Sequence, residues 1–161
     1  MLIQILQDAL FSAIAAIGFS AISNPPVRSY AYCAFIAAVG HSLRFVLMQP
    51  GVCGLHIVPA TALAALVIGL LAVFLSKRST VPPETYIFPS LLPMVPGVYA
   101  YKAFGGLAMC LFFSDEPSFV HNFYLFASNG MMAFFILLAM AVGAVIPIFM
   151  FKQVSFQATR R

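Results

Sequence analysis

The chain of 161 residues is 63% hydrophobic and only 7% charged, and its mean hydropathy is +1.03. Because an ordinary soluble domain carries roughly 25% charged residues, this composition excludes a soluble domain and indicates an integral membrane protein. The net charge of +4 is accompanied by no basic stripe or nucleic-acid-binding motif, so a nucleic-acid partner is not expected. The length allows one domain, and we predict a single integral membrane domain over residues 1–161, surrounded by the lipid bilayer.

Five stretches reach the length of about 20 mostly apolar residues that a transmembrane helix needs. They cover residues 2–22, 30–48, 57–76, 86–113 and 123–151. The first has no basic leader and contains Asp8, so we interpret it as a span rather than as a signal peptide. The last exceeds one bilayer width and is expected to tilt or to emerge from the membrane. The predicted fold is an all-α membrane protein with five transmembrane helices, the fourth broken by prolines.

That break lies in Pro89–Gly97, where three prolines and a glycine occur within nine residues. Each proline removes a backbone donor and clashes with the carbonyl four residues back. Backbone groups freed in this way are tolerated at membrane depth only where protein or a polar cavity satisfies them. We therefore predict a substrate site at Pro93, Pro96 and Gly97, where the amides that open the following half-helix would suit a carboxylate. The alternative is a kink that only shapes helix packing.

Basic residues fall on one side of the five-span arrangement. The first connection, the third connection and the C-terminal segment share that side and hold six of them: Arg28, Lys77, Arg78, Lys152, Arg160 and Arg161. The connections at residues 49–56 and 114–122 hold no Lys or Arg. Because Lys and Arg mark cytoplasmic loops, the N-terminus is expected outside and the C-terminus in the cytoplasm.

Four ionisable side chains fall inside the predicted spans, in the outer half of the membrane or near its middle: Asp8, His41, Arg44 and Lys102. Residues of this kind are costly in a bilayer and are functional candidates by default. His41 and Arg44 are three residues apart and share a helix face. Asp8 has a depth similar to that of Arg44, so an ion pair between these two is expected.

In the functional interpretation, Arg44 and Lys102 bind a substrate carboxylate, with His41, Tyr101 and Asn129 as further substrate-binding residues. Asp8 and His41 would take a coupling proton or form an ion pair. The alternatives are purely structural: Asp8 and Arg44 would only join two helices, Lys102 would extend toward the membrane surface, and His41 and Asn129 would form interhelical hydrogen bonds.

The three cysteines, Cys33, Cys53 and Cys110, form no Cys-x-x-Cys pair and have no metal-ligand spacing with histidine. We expect small buried hydrophobes in the apolar spans, and no metal or cofactor. An enzyme is not expected either, because the sequence contains no nucleophile–base pair or cofactor motif.

Three blocks of sequence carry a family resemblance. They are Gly18-Phe19 followed by Asn24-Pro-Pro-Val-Arg28, Cys33 followed by Gly40-His-Ser-Leu-Arg44, and Pro93-Met-Val-Pro-Gly97 with Tyr99 and Tyr101. In these residues the chain resembles the threonine/serine exporter (ThrE) family, specifically its short YjjB-like subunit. The resemblance covers roughly residues 2–106, and the rest of the chain matches in hydropathy alone.

The resemblance implies a bacterial inner-membrane exporter of threonine and serine, or of dicarboxylates such as succinate in the split form. It also implies a partner, because the short subunit works with a larger membrane subunit of the same family. We therefore predict one subunit of a two-component, proton-coupled exporter of small amino acids or carboxylates, with self-association as a further expectation. The alternative from another class is a non-transporting scaffold or assembly subunit.

Overall fold

The computed structural model describes residues 1–79, 81–113 and 115–151. The regular elements in these ranges are all helical: α1 (Leu2–Ser23), α2 (Arg28–Met48), α3 (Ile57–Ser79), α4 (Glu84–Leu91), a 3₁₀ turn (Leu92–Met94), α5 (Gly97–Phe112) and α6 (Glu116–Met150). The predicted all-α membrane fold is confirmed. Helices α1, α2, α3 and α6 are each long and apolar enough to cross a bilayer, and α4 with its 3₁₀ turn and α5 make a fifth when taken as one broken span.

Local chemistry explains the end of α1. Asn24 adopts the left-handed conformation at φ 45° and ψ 49°, and its N–H donates to the carbonyl oxygen of Ala21 at 3.3 Å. Asparagine is one of the few residues that tolerate this conformation, which commonly closes a helix. The prolines at positions 25 and 26 then prevent the helix from continuing.

Helix α6 begins at Glu116, seven residues ahead of the predicted span 123–151, so the predicted connection at 114–122 is largely helical. Asp115 provides the physical reason, because its Oδ2 accepts a hydrogen bond from the backbone N–H of Ser118 at 3.1 Å. This is the N-cap contact that satisfies a free amide of the first turn. Pro117, the second residue of the helix, loses nothing there because first-turn amides have no intrahelical partner.

The chain divides into two compact units, residues 1–94 with 139–161 and residues 95–138. In the first unit α2 is central, because it contacts α1, α3 and α4. Its buried face includes Cys33, Ile36 and Ala37, and α3 contributes buried alanines and Ile68. Small side chains let the helix backbones approach closely, as is common inside membranes. That the whole chain acts as one membrane domain stays a prediction.

Within the first unit, α3 and the C-terminal part of α6 meet at two glycines. A Cβ atom built on Gly69 would lie 2.6 Å from the carbonyl oxygen of Ala144, and one on Gly143 would lie 2.5 Å from that of Ala62. Favourable contacts between non-bonded heavy atoms are about 3.5–4.0 Å long. Glycine is therefore required for this close approach at both positions.

In the second unit, Gly106 allows α5 and α6 to approach each other. A Cβ atom on Gly106 would lie 2.8 Å from the carbonyl oxygen of Asn122, whereas one on Gly105 would have nothing within 4 Å. The expectation that small residues after the break let another helix approach is thus met at Gly106 and not at Gly105.

Candidate functional site

Three ionisable side chains meet in the first unit where α1, α2 and the 3₁₀ turn come together. Asp8 lies on α1, and His41 and Arg44 lie on one face of α2, as their spacing predicts. Oδ2 of Asp8 is 2.7 Å from Nδ1 of His41, and these side chains are 25% and 15% exposed, respectively. A short hydrogen bond of this kind to a carboxylate joins the two helices. We call Asp8, His41 and Arg44 the polar cluster.

The second ring nitrogen of His41 has two neighbours of opposite kind. Nε2 is 3.2 Å from the carbonyl oxygen of Pro93, which is an acceptor, and 3.2 Å from Nη2 of Arg44, which is a donor. Arg44 also donates from Nη1 to the carbonyl oxygen of Met94 at 3.1 Å. The polar cluster is thus bonded to two consecutive carbonyls at the end of the 3₁₀ turn.

A second contact, one helical turn away, fixes the register of α1 against α2. Ser12 follows Asp8 by one turn on α1, and its hydroxyl lies 3.5 Å from the carbonyl oxygen of Ala37. Ala37 precedes His41 by one turn on α2, so the two contacts run in opposite directions along the two helices. This antiparallel register brings Asp8 to His41.

A proline of the broken segment explains one of the acceptors that α2 binds. Pro89 has no N–H, so the carbonyl of Thr85 lacks its helical partner, and Sγ of Cys33 lies 3.7 Å from that oxygen. At the end of the 3₁₀ turn, the Met94 carbonyl accepts from Arg44, and the Pro93 carbonyl lies 3.2 Å from Nε2 of His41. Helix α2 therefore supplies hydrogen-bond donors that the broken segment has lost, as a break at membrane depth requires.

One detail of the predicted site is wrong. The expected Asp8–Arg44 ion pair is not formed in the part of the chain that the structure describes, where the carboxylate pairs with His41. The guanidinium of Arg44 binds the Met94 carbonyl, which closes the 3₁₀ turn, and its expected role in binding a carboxylate with the amides that open α5 stays a prediction. The sequence gives no direct signal for this contact, because the residues four positions after Pro93 and Met94 are not prolines. Which neighbour supplies the donor depends on packing.

The break itself begins the second unit and is an inverse γ-turn. Pro96, its central residue, has φ −77° and ψ 59°, and the N–H of Gly97 donates to the carbonyl oxygen of Val95 at 2.8 Å. The prediction that the amides opening α5 lack partners is therefore wrong for Gly97. The first-turn N–H groups of Val98 and Tyr99 are the ones for which a helix offers no internal acceptor.

The remaining predicted substrate-binding residues also lie in the second unit. Tyr101 is 79% exposed on α5, and its neighbour Lys102 is exposed as well. Asn129 is half-buried on α6 and donates from Nδ2 to a carbonyl oxygen one turn earlier in its own helix, at 2.7 Å. A role in substrate binding for these three residues, and for Pro96 and Gly97, stays a prediction.

Among the described residues, no group of three or more His, Cys, Asp or Glu side chains could hold a metal ion. The expectation of small buried thiols is confirmed for Cys33, whereas Cys110 is half-buried and Cys53 is exposed.

The polar cluster combines a carboxylate, an imidazole and a guanidinium, a set of groups suited to binding a proton or a small anion.

Comparison with known proteins identifies one family. The family model described as "Threonine/Serine exporter, ThrE" matches residues 8–150, beyond the part covered by the three sequence blocks. An uncharacterized protein of Haemophilus influenzae is 42% identical over 102 residues, a match that covers 63% of this chain and 33% of the relative. The chain thus spans about a third of the length of this relative. No solved structure matches the chain significantly. The chain belongs to the threonine/serine exporter family.

Proposed function

We propose that the chain is one membrane subunit of a two-component exporter that moves threonine, serine or related carboxylates across the bacterial inner membrane. Family membership and the candidate spans support a multi-pass membrane protein of a transport family. The resemblance to the short subunit supports a larger membrane subunit as partner. The greater length of the Haemophilus influenzae relative fits a function shared between this segment and additional protein.

The observation that carries the proposal is the polar cluster and its contact with the broken segment. A charged side chain inside a span costs about 2.5–3.5 kcal/mol on insertion scales and commonly marks a substrate or ion pathway. Asp8, His41 and Arg44 gather three ionisable groups at one point and bind them to irregular backbone. Irregular backbone beside such groups is a recurring architecture of substrate sites in secondary transporters.

Arg44 is the proposed carboxylate-binding residue. Its guanidinium carries five N–H donors in a planar fork that matches a carboxylate. The contacts with Met94 and His41 use one donor on each terminal nitrogen, so further donors are left for a ligand. Threonine, serine and succinate share the carboxylate and differ in their second polar group, so Arg44 accommodates the amino-acid and the dicarboxylate alternatives alike.

Asp8 and His41 are the proposed site of the coupling proton. Histidine is the side chain that ordinarily changes its charge in the physiological pH range, and a carboxylate 2.7 Å away can share the proton with it.

We further propose that the N-terminus lies outside and the C-terminus in the cytoplasm. Arg28, Lys77 and Arg78 support this orientation, because they lie at the ends of α2 and α3 that would face the cytoplasm. The basic residues 152, 160 and 161 lie outside the described residues.

Export of threonine, serine and succinate from bacterial cells tests the proposal. The arms are cells without the gene, with this chain alone, and with this chain and the larger subunit. Arg44→Lys and Asp8→Asn should each lower export by about tenfold or more, the effect of losing one hydrogen bond to a charged group. Gly18→Ala is the matched control, because its Cβ would have nothing within 4 Å. Failure to export any of the three compounds, or wild-type export by both cluster variants, would contradict the proposal.

A second candidate function is that of a scaffold. It is favoured by the observation that every buried side-chain N or O atom among the described residues has a hydrogen-bond partner, as a purely structural staple requires. Co-purification with the larger subunit separates the two functions. A scaffold predicts that Arg44→Lys weakens the complex and export equally, whereas a transport site predicts an intact complex with reduced export.

A further inference from the structure

We propose that His41 is a proton-operated switch. With Nε2 protonated, His41 donates a hydrogen bond to the Pro93 carbonyl at the end of the 3₁₀ turn, and with Nε2 unprotonated, it accepts a hydrogen bond from Arg44. The inference rests on the proposed proton-coupled site and specifies how the proton acts there. Its basis is the position of Nε2, which lies 3.2 Å from the carbonyl oxygen of Pro93 and 3.2 Å from Nη2 of Arg44.

These two contacts require opposite states of the same nitrogen. A carbonyl oxygen only accepts, so a hydrogen bond with Pro93 needs a proton on Nε2. A guanidinium nitrogen only donates, so a hydrogen bond from Arg44 needs the Nε2 lone pair. In either state one contact is a hydrogen bond and the other is a repulsive pair of like groups. Gain or loss of one proton therefore exchanges the partner of His41.

Because Asp8 and His41 share protons, the exchange depends on how many protons this pair carries and not on which of the two side chains carries them. When the Asp8–His41 pair carries one proton, the carboxylate keeps this proton on Nδ1, and Nε2 is left with its lone pair. When the pair carries two protons, two arrangements are possible. Either His41 is an imidazolium with a proton on Nε2, or Nε2 carries a hydrogen while Asp8 is protonated and donates to Nδ1. Both arrangements point an N–H toward Pro93, so the outcome for the 3₁₀ turn is the same.

Among the described residues of the first unit, the charges that face His41 come from the cluster itself. Helix α1 contributes Asp8 and α2 contributes Arg44, whereas the 3₁₀ turn contributes carbonyl groups. The charged side chains of α3, at positions 77 and 78, lie in its last turn, and that of α4 is its first residue, Glu84. Glu84 stands nine residues before Pro93, and Lys77 stands nine residues after Ile68, the residue of α3 that a Cβ on Gly40 would meet. Nine residues of α-helix rise roughly 13 Å. The switch therefore responds to Asp8, Arg44 and a bound ligand.

The two states offer different groups to a substrate. When Nε2 is protonated, Arg44 loses its contact with His41 and the Pro93 carbonyl is occupied. When Nε2 is unprotonated, that carbonyl loses its donor and becomes available to another one. An ammonium group is such a donor, so the proton and the ammonium group of an amino acid would compete for one acceptor. A dicarboxylate has no ammonium group and would not compete in this way.

The test uses the full chain with its larger subunit in lipid nanodiscs and measures structure rather than transport. Nitrogen-15 NMR of labelled histidine, assigned with His41→Gln, follows the protonation of Nε2 between pH 5 and 8. Infrared spectroscopy of proline labelled with carbon-13 at the carbonyl, assigned with Pro93→Ala, follows the hydrogen bond of the Pro93 oxygen. We expect both signals to change together with one midpoint, and loss of the pH-dependent carbonyl shift in His41→Gln.

If His41→Gln or Pro93→Ala does not fold, replacement of the other two histidines, His56 and His121, identifies the His41 signal, and Pro93→Val identifies the carbonyl band. The inference is overturned if Nε2 keeps one protonation state across this range, or if Nε2 titrates while the Pro93 carbonyl band does not shift. Because neither signal needs substrate or export, a missing switch in a working exporter refutes this inference alone. A working switch in a complex that exports none of the three compounds refutes the proposed function alone.

Discussion

The contact between α3 and α6 predicts that alanine at Gly69 destabilises the protein. The added Cβ would lie 2.6 Å from the carbonyl oxygen of Ala144 and 3.0 Å from Cγ of Pro147. The nearest atom belongs to the backbone, so no rotamer change relieves the clash. The two helices would have to separate by about 1 Å to restore ordinary contact distances.

A gap of that size removes about a quarter to a half of the dispersion energy of each contact along the interface. Overpacking of well-packed interiors costs about 1–3 kcal/mol, and we expect a loss of stability in this range. Gly18→Ala and Gly105→Ala are matched controls, because a Cβ at either position meets nothing within 4 Å. Both should be as stable as wild type or slightly more stable, since alanine favours helix more than glycine does.

Thermal unfolding of the full chain in one detergent, followed by circular dichroism, measures the difference. Gly143→Ala should be destabilising as well, because its Cβ would lie 2.5 Å from the carbonyl oxygen of Ala62. The double variant Gly69→Ala/Gly143→Ala should lose less than the sum of the single losses, since one separation of the helices relieves both clashes. If Gly69→Ala unfolds at the temperature of Gly18→Ala, the described approach of α3 and α6 is incorrect.

Three further predictions concern other parts of the chain. Hydrogen bonds from the Ser118 side chain and backbone lower the pKa of Asp115, so its cap on α6 is complete above the ordinary carboxyl value of about 3.9 and is lost as the pH falls through the lowered value. A spin label in the first turn of α6 should become mobile only at such acidic pH, and Asp115→Asn should remove this step. Reporter fusions at the C-terminus and just ahead of α6 should report opposite compartments, and a shared compartment would contradict the five-span topology. The double change Pro96→Ala/Gly97→Ala should allow a more continuous helix and abolish export with normal membrane insertion, whereas wild-type export would remove the break from the site.

The helical fold and the position of the break could be predicted because both depend on local properties of the sequence. Hydropathy over about 20 residues determines whether a helix can cross a bilayer, and a proline acts on the carbonyl four residues back wherever it lies. The start of α6 is also local, since the Asp115 cap fixes it, but the polarity of residues 114–122 resembles that of a loop.

The partners within the polar cluster could not be predicted in the same way. Depth along a helix places Asp8 level with the group of residues around Arg44, but it does not give the rotation of α1 about its own axis. The contact of Ser12 with Ala37 shows that rotation, and it directs Asp8 to His41. Likewise, composition gives no indication that α2 binds the carbonyl end of the break, because this depends on the packing of α2 against the 3₁₀ turn.

The contact of Cys33 with the broken segment has a consequence for the evolution of the family. The thiol lies 3.7 Å from a carbonyl that has no helical donor because Pro89 stands four residues later. Where a relative has another residue than proline at that position, the helix can satisfy the carbonyl itself, and position 33 is free to become alanine or glycine. Where proline is kept, position 33 should keep a donor such as cysteine, serine or threonine. Positions 33 and 89, on different helices, are thus expected to change together among relatives.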